Sequence, residues 1–303
     1  MASQGRGSWI VDAGEEAAED QMVRVYVHGG VSGKPRAARD LTYAVLIARE
    51  SSSALGAVEA AITKLEDDPE LNAGYGAVLN MDGELELDAG IADGSTGAVG
   101  AVAGVALRNP IRLARLVLER TPHVFVAGPG AARLATKLGL EPLEDTTPAQ
   151  RARWESLSGE AVGDGFGAPE QVDTVGAVAL DERGHLCAGS STGGVAGQMP
   201  GRVGDSPVFG AGFYASKGAA VIGTGVGELF LETLASLRVG DLIESGVAPQ
   251  QACESILAML GERRADAAAG LLALDDTGRV GAAYRGGSWS VAGPEGILDV
   301  LGM

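Results

Sequence analysis

Residues 171–180 change character abruptly. Gln171, Val172 and Asp173 close a polar stretch rich in Gly, Pro and Glu, and Thr174 opens an apolar run that ends at Leu180. Small and β-branched residues in such a run favour a buried strand. The turn signal Asp181-Glu182-Arg183-Gly184 follows, then a second apolar segment over residues 185–190, so the whole reads as a hairpin. A flexible segment thus ends where a buried strand begins, with a threonine on the boundary. Two readings stand. In one, Thr174 opens a strand as many threonines do. In the other, the chain cleaves itself before Thr174 and frees an α-amine beside the threonine hydroxyl. With an ordinary pKa of ~7.7–8.0, much of that amine is neutral at working pH and can act as the hydroxyl's general base.

The rest of the chain narrows the chemistry. Its 303 residues suffice for one large domain, and with 4% aromatics and 47 glycines the interior has to be filled by Ala, Val and Leu. A balance of 23 basic against 40 acidic residues argues against a nucleic-acid or anionic-membrane partner. Cys187 and Cys253 stand apart, and neither a disulfide framework nor a zinc site is implied. No apolar run reaches the ~18 residues of a membrane span. Residues 1–21 are acidic and polar without an apolar core, so a disordered tail and a cytoplasmic protein are expected.

Residues 22–27 alternate as a first strand running into His28-Gly29-Gly30. The following Gly33-Lys34 is not a phosphate loop, because His28 stands at its first glycine and Pro35 at its Ser/Thr. Helices are expected over 37–50 and 53–66, and a hairpin over 77–79 and 84–88 around Met81-Asp82-Gly83. Next come a strand over 100–107, a helix over 110–120 opened by Pro110, a short strand at 124–127 and a helix at 131–137. Residues 141–173 dissolve into a linker. Beyond the Thr174 hairpin, Gly223-Thr224-Gly225-Val226-Gly227-Glu228 opens a helix to Leu237, and another helix covers 249–260. A last hairpin over 270–284 echoes the first, with Leu272-Ala273-Leu274-Asp275 repeating Val178-Ala179-Leu180-Asp181. Paired hairpins flanked by helices indicate antiparallel sheets covered by helices, a layered α+β fold.

Several chemistries fail on the residues. Gly189-Ser190-Ser191-Thr192-Gly193 fits a nucleophile elbow, but that fold needs a histidine after its serine, and the last of the three histidines is His185. His28, His123 and His185 have no metal spacing, and Gly223, Gly225 and Gly227 are wrongly spaced for a dinucleotide fingerprint. A nucleophile that carries its own base becomes attractive.

The ordered set Thr174–Asp181, Ser191-Thr192-Gly193-Gly194, Gly201-Arg202-Val203-Gly204-Asp205-Ser206-Pro207 and Thr224-Gly225-Val226-Gly227-Glu228 resembles the isoaspartyl peptidase/L-asparaginase family. These are the plant-type asparaginases among the N-terminal-nucleophile hydrolases. His28-Gly29-Gly30, Asn72-Ala73-Gly74, Asp93-Gly94 and Asn109-Pro110 agree, and the likeness runs from Met22 onward. It implies a four-layer αββα sandwich, a first half over 22–173 and a second over 174–303 within one domain, and autocleavage between Asp173 and Thr174. It also implies a homodimer of processed protomers that acts on L-asparagine and β-aspartyl dipeptides.

The resemblance further implies roles. Thr174 is the nucleophile, oriented by Thr192. Thr224 and the Gly225 amide form an oxyanion hole. Arg202 takes the substrate α-carboxylate and Asp205 its α-ammonium, with Asn72, Gly225 and Gly227 also lining the site. Catalysis needs no cofactor. A sodium ion is implied on the backbone carbonyls of Leu65, Glu66, Asp68, Leu71, Ala73 and Tyr75. Asp173 stands where asparaginases usually carry Gly, and Asp-Thr at the cut is similar to the glycosylasparaginases, the alternative activity. A second alternative is a binding protein that keeps the fold and never cleaves itself.

Overall fold

The computed structural model describes residues 22–32, 39–159, 174–300 and 302. The expected tail (1–21), residues 33–38 and residues 160–173, Asp173 included, lie outside the described residues.

Two antiparallel-dominated sheets carry the fold. The larger contains β1 (Arg24–Ser32), β2 (Leu87–Asp93), β3 (Ala98–Val105), β4 (Phe125–Ala127), β5 (Val175–Leu180), β6 (Leu186–Thr192), β11 (Ser288–Gly293) and β12 (Gly296–Ile297), in the order β12-β11-β1-β5-β6-β2-β3-β4. The smaller runs β10 (Val280–Arg285), β9 (Ala269–Asp275), β8 (Ala219–Gly225), β7 (Phe213–Ala215). Helices α1 (Thr42–Ala48), α2 (Ala54–Glu66), α3 (Pro110–Arg120) and α4 (Gly128–Lys137) belong to the first half. In the second half lie α6 (Gly227–Thr233), α7 (Ala235–Glu244) and α8 (Pro249–Arg263).

Alternation along the strands sorts the core into separate apolar clusters. Val175, Ala177 and Ala179 of β5 and Cys187 of β6 pack with α2 and α3. Ala219 and Val221 of β8 pack with α7 and α8. The intervening residues Val178, Leu180, Leu186, Ala188, Ala220 and Ile222 form a third cluster that joins the two sheets. Strand period thus decides which side chains face the other sheet. A one-residue slip would exchange the two sets.

Local signals explain the helices that were expected. Ser53 is extended and its hydroxyl accepts the Gly56 amide at 3.2 Å, capping α2. Pro110 occupies the first turn of α3, where a missing N–H costs nothing.

Four expectations need correction. The described helix is shorter than 37–50, covering Thr42–Ala48. Residues 77–88 do not form a hairpin. The Asn80 side chain accepts the Asp82 and Glu84 amides at 3.0 and 2.9 Å, and strand structure begins at Leu87. One backbone bond crosses the turn, from Asn80 N–H to the Glu84 carbonyl at 3.0 Å, but the two arms are not paired strands; they bond to a distant loop, through Gly197 N–H to the Leu79 carbonyl and Met81 N–H to the Gln198 carbonyl. The linker contains a helix, α5 (Pro148–Gly159), started by the Thr147 hydroxyl accepting the Gln150 amide at 3.3 Å. The helix expected to reach Leu237 breaks at Leu234, which has φ 50° and separates α6 from α7.

Candidate active site

The same alternation brings three threonines together. Thr174 precedes Val175 on β5 and therefore shares the face of Val178 and Leu180, toward the second sheet. Thr192 shares the face of Leu186 and Ala188, and Thr224 that of Ala220 and Ile222. One step beyond the Val175–Ser191 pair, Thr174 stands opposite Thr192. All three are buried. They meet from both sheets at one end of the inter-sheet core.

Their hydroxyls have distinct partners. Thr192 Oγ1 accepts the Gly194 amide at 3.1 Å, which shapes the turn after β6. Thr224 Oγ1 accepts the Val31 amide at 3.3 Å, tying β1 of the larger sheet to β8 of the smaller. Its lone pair is used by the protein, and its proton remains available for a ligand. Ser206 Oγ lies 3.5 Å from Thr174 Oγ1, with both side chains buried.

β1 supplies a residue whose role the sequence did not reveal. His28 is fully buried, its ring centroid 5.6 Å from that of Trp289, and its Nδ1 accepts the Gly30 amide at 3.3 Å. Burial pushes the imidazole down to about 3, with the Thr174 backbone opposing. A neutral ring that accepts at Nδ1 carries its proton on Nε2. Among the described residues, no group completes a hydrogen bond to that nitrogen. Gly176, opposite His28 on β5, leaves room for the ring, since a Cβ there would lie 2.8 Å from Nε2.

The loop after β6 forms the other wall. Arg202 Nε donates to Glu228 Oε1 at 3.0 Å and Nη2 lies 2.9 Å from the same oxygen; Nη1 reaches Gln198 Oε1 at 3.4 Å. Asp205 is buried with Oδ2 unpartnered. Burial lifts its carboxyl to about 7, against the pull of Arg202. Gly227 faces both groups: a Cβ there would stand 2.8 Å from Asp205 Oδ1 and 2.9 Å from Arg202 Nη2. A guanidinium and a carboxylate with one oxygen unpartnered among the described residues therefore flank the same glycine. Gly225, at φ 144°, adopts backbone that a side chain would strain.

Asn72 joins this wall to the first half. Its Nδ2 donates to the Gly194 carbonyl at 2.7 Å, its Oδ1 accepts the Val78 amide at 3.0 Å, and its own carbonyl accepts the Gly193 amide. The structure thus gathers Thr174, Thr192, Thr224, Gly225, Asn72, Arg202, Asp205 and Gly227 around one end of the sheets. His28, Gln198, Ser206 and Glu228 join them. Glu228 was legible as the acidic residue four positions after Thr224, in the first turn of α6. His28 and Ser206 lie within motifs of the sequence, but those motifs gave neither residue a role, and Gln198 carries no sequence signal of its own.

The segment expected to hold sodium is rich in carbonyl oxygens. The Asp68 and Leu71 carbonyls crowd Gly76, and the Glu66 carbonyl crowds Gly74. Hard, neutral oxygens of this kind suit an alkali cation. Among the described residues, no side-chain cluster of His, Cys, Asp and Glu could hold a metal ion. No described helix is long and apolar enough to cross a membrane.

Known proteins match this chain over most of its length. The chain is 40% identical over 278 residues to the isoaspartyl peptidase/L-asparaginase of Mus musculus, covering 86% of this chain and 85% of that one. It is 41% identical to the isoaspartyl peptidase of Salmonella typhimurium, over 80% of this chain and 82% of the relative. It is 40% identical to a plant-type L-asparaginase of Pyrobaculum calidifontis, over 87% and 94%. The family model described as asparaginase matches residues 11–293, and the chain belongs to the asparaginase family of hydrolytic enzymes.

Proposed function

We propose that this enzyme hydrolyses the side-chain amide of L-asparagine and the isopeptide bond of β-aspartyl dipeptides, using Thr174 after the chain has cut itself between Asp173 and Thr174. The observation that carries this reading is the convergence of Thr174, Thr192 and Thr224 from two sheets beside the Arg202–Asp205 clamp. The clamp grips the α-carboxylate and α-ammonium of the aspartyl half, which presents the side-chain carbonyl to Thr174. The freed Thr174 amine accepts the hydroxyl proton as Oγ1 attacks that carbonyl. The Thr224 hydroxyl and the Gly225 amide receive the oxyanion. Collapse expels ammonia or the amino acid, which takes the proton. Water then adds to the aspartyl ester and releases L-aspartate and free Thr174. A neutral His28, whose ring feels the Thr174 backbone, would help pack the nucleophile's main chain.

The same reading assigns a four-layer αββα architecture of the N-terminal-nucleophile type, supported by the three apolar clusters. It assigns a homodimer of processed protomers in the cytoplasm. A sodium ion on the carbonyls of Leu65, Glu66, Asp68, Leu71, Ala73 and Tyr75 would stiffen the loop that carries Asn72, and takes no part in the chemistry.

Denaturing gels with N-terminal sequencing test the cut, and a smaller fragment beginning Thr-Val-Gly-Ala-Val is expected. Thr174→Ala should remain one chain and be inactive. Full asparagine hydrolysis by an uncut wild type would overturn the mechanism. Faster cleavage of N-acetylglucosaminyl-asparagine than of asparagine or β-aspartyl dipeptides would reassign the enzyme as a glycosylasparaginase.

A further inference from the structure

Asp88 is a buried carboxyl that the mechanism above leaves unused. It sits directly opposite Thr192 in the β2–β6 pairing. Ile91 and Ala89 face the helices and Ala92 faces the second sheet, so alternation places Asp88 on the side of Thr192 and Thr174. Paired residues on one face have Cβ atoms about 4.5–5.5 Å apart, so Asp88 and Thr192 are immediate neighbours.

Its two oxygens accept backbone amides from different segments. Oδ1 accepts the Gly104 N–H at 3.0 Å, and Oδ2 accepts the Gly204 N–H at 3.4 Å. The first bond depends on an irregularity. The β2–β3 register shifts between Leu87 and Ala89, and Gly104 there has φ 63°, which turns its amide out of the ladder. The second bond reaches Gly204, the residue just before Asp205 and two after Arg202. Two residues earlier on the same extended segment, Glu86 accepts the Gly201 amide with both oxygens, at 2.9 and 3.0 Å. The carboxylates of Glu86 and Asp88 thus hold the Arg202 loop on both sides of the guanidinium. Burial lifts the Asp88 carboxyl to about 7, so keeping it here is costly unless the position is used.

We infer that Asp88, with Glu86 as its outer companion, is a positioning residue that fixes the backbone of residues 201–204 so that Arg202 and Asp205 meet the substrate at the height of Thr192. This rests on the proposed amino-acid clamp, but the anchoring can be read independently of activity. Asp88→Asn keeps the shape and places an NH2 against one of the two donor amides.

Hydrogen–deuterium exchange of the full-length protein, read on peptides spanning 200–206, should be faster in Asp88→Asn than in wild type. For asparagine and a β-aspartyl dipeptide, KM should rise about tenfold or more, the scale of one lost charge-assisted hydrogen bond. The kcat and the extent of self-cleavage should change by less than about threefold, whereas a general loss of folding would lower all three together. Unchanged exchange at 200–206, or unchanged KM, overturns the inference. A wild type inactive on every aspartyl amide would overturn the proposed function while the exchange result still decides the anchoring. Should Asp88→Asn fail to fold, Glu86→Gln gives the second reading: faster exchange at Gly201 with a smaller rise in KM supports the anchoring, and no change in either overturns it.

Discussion

Arg202 pairs with Glu228 and not with Asp205, three residues along the same loop. Glu228 receives both Nε and Nη2, which aims the guanidinium and leaves Nη1 with a long 3.4 Å contact to Gln198. In the proposed clamp, a substrate carboxylate meets a fork that is already oriented. Arg202→Lys retains charge and loses the fork, so kcat/KM should fall by about 10- to 100-fold, or ~1.5–3 kcal/mol. Glu228→Gln should cost less, because Glu228 is half exposed and the pair is screened by solvent. Both proteins should still cut themselves, as that step uses no substrate carboxylate. Steady-state kinetics beside a denaturing gel separates the effects, and an unchanged kcat/KM in Arg202→Lys would remove this residue from the site.

The unpartnered carboxyl of Asp205 gives the enzyme a pH dependence with a definite sign. Burial raises its carboxyl to about 7, so it is largely neutral below that pH and ionised above it. Only the ionised form attracts the substrate ammonium. On the acid side, kcat/KM should therefore fall as pH drops through about 7, while kcat falls less because bound ammonium stabilises the carboxylate. Asp205→Asn should weaken binding above about pH 7, change it little well below that, and so flatten the limb. A limb that persisted unchanged in Asp205→Asn would place the titration elsewhere.

Stability should move with pH as well. Burial raises Glu66 to about 8 and Asp88 and Asp205 to about 7, all above their ordinary values. Between the unfolded and folded values, the native state binds more protons than the unfolded chain, so the slope of stability with pH is negative. The contribution of these three groups is complete below about pH 4 and is lost as pH rises through about 7 to 8. Thermal midpoints measured without ligand should decline across that window, and saturating L-aspartate should restore part of the loss. A Glu66→Gln protein should show a shallower decline.

Leu234 offers a test of backbone strain away from the site. It is the one non-glycine with positive φ among the described residues, and 41% of its surface is exposed. Left-handed backbone costs an L-residue about 1–2 kcal/mol, and glycine is free of that cost. Leu234→Gly gives back part of the gain through the unfolded chain, leaving a net stabilisation of about 0.5–1 kcal/mol. A shift of the urea midpoint to higher concentration at unchanged slope is the expected result. A lower midpoint would show that the leucine side chain contributes more than its exposure indicates.

Both long hairpins of the second half were legible because alternation and turn chemistry agree there. Val175–Leu180, Leu186–Thr192 and Ala269–Arg285 fall close to where the residues put them. Residues 77–79 misled for a physical reason. They are apolar and buried, yet the Leu79 carbonyl accepts from Gly197 N–H, and no local pattern encodes a partner so distant. Helix α5 was missed although Thr147-Pro148-Ala149-Gln150 has the spacing of a capping box. The break at Leu234 left no trace, since neither Gly nor Asn marks it. At the site, residues in recognisable motifs were found, while His28 and Ser206 matter through what the fold sets beside them.

The strand order of the larger sheet has a consequence for the enzyme once it has been cut. β1 lies between β11 and β5, and β2 is paired to β6, so strands from before and after Thr174 are interleaved in one sheet. The fragments cannot part as folded bodies, because each lacks the neighbours that complete its hydrogen bonding. Denaturation of cut protein releases two chains that must find each other again, and their encounter is second order. Recovery of activity after dilution from urea should therefore grow with protein concentration for the cut form and be independent of it for the uncut Thr174→Ala chain, read by circular dichroism. Severing the backbone would turn a refoldable precursor into an enzyme that, at low concentration, folds once.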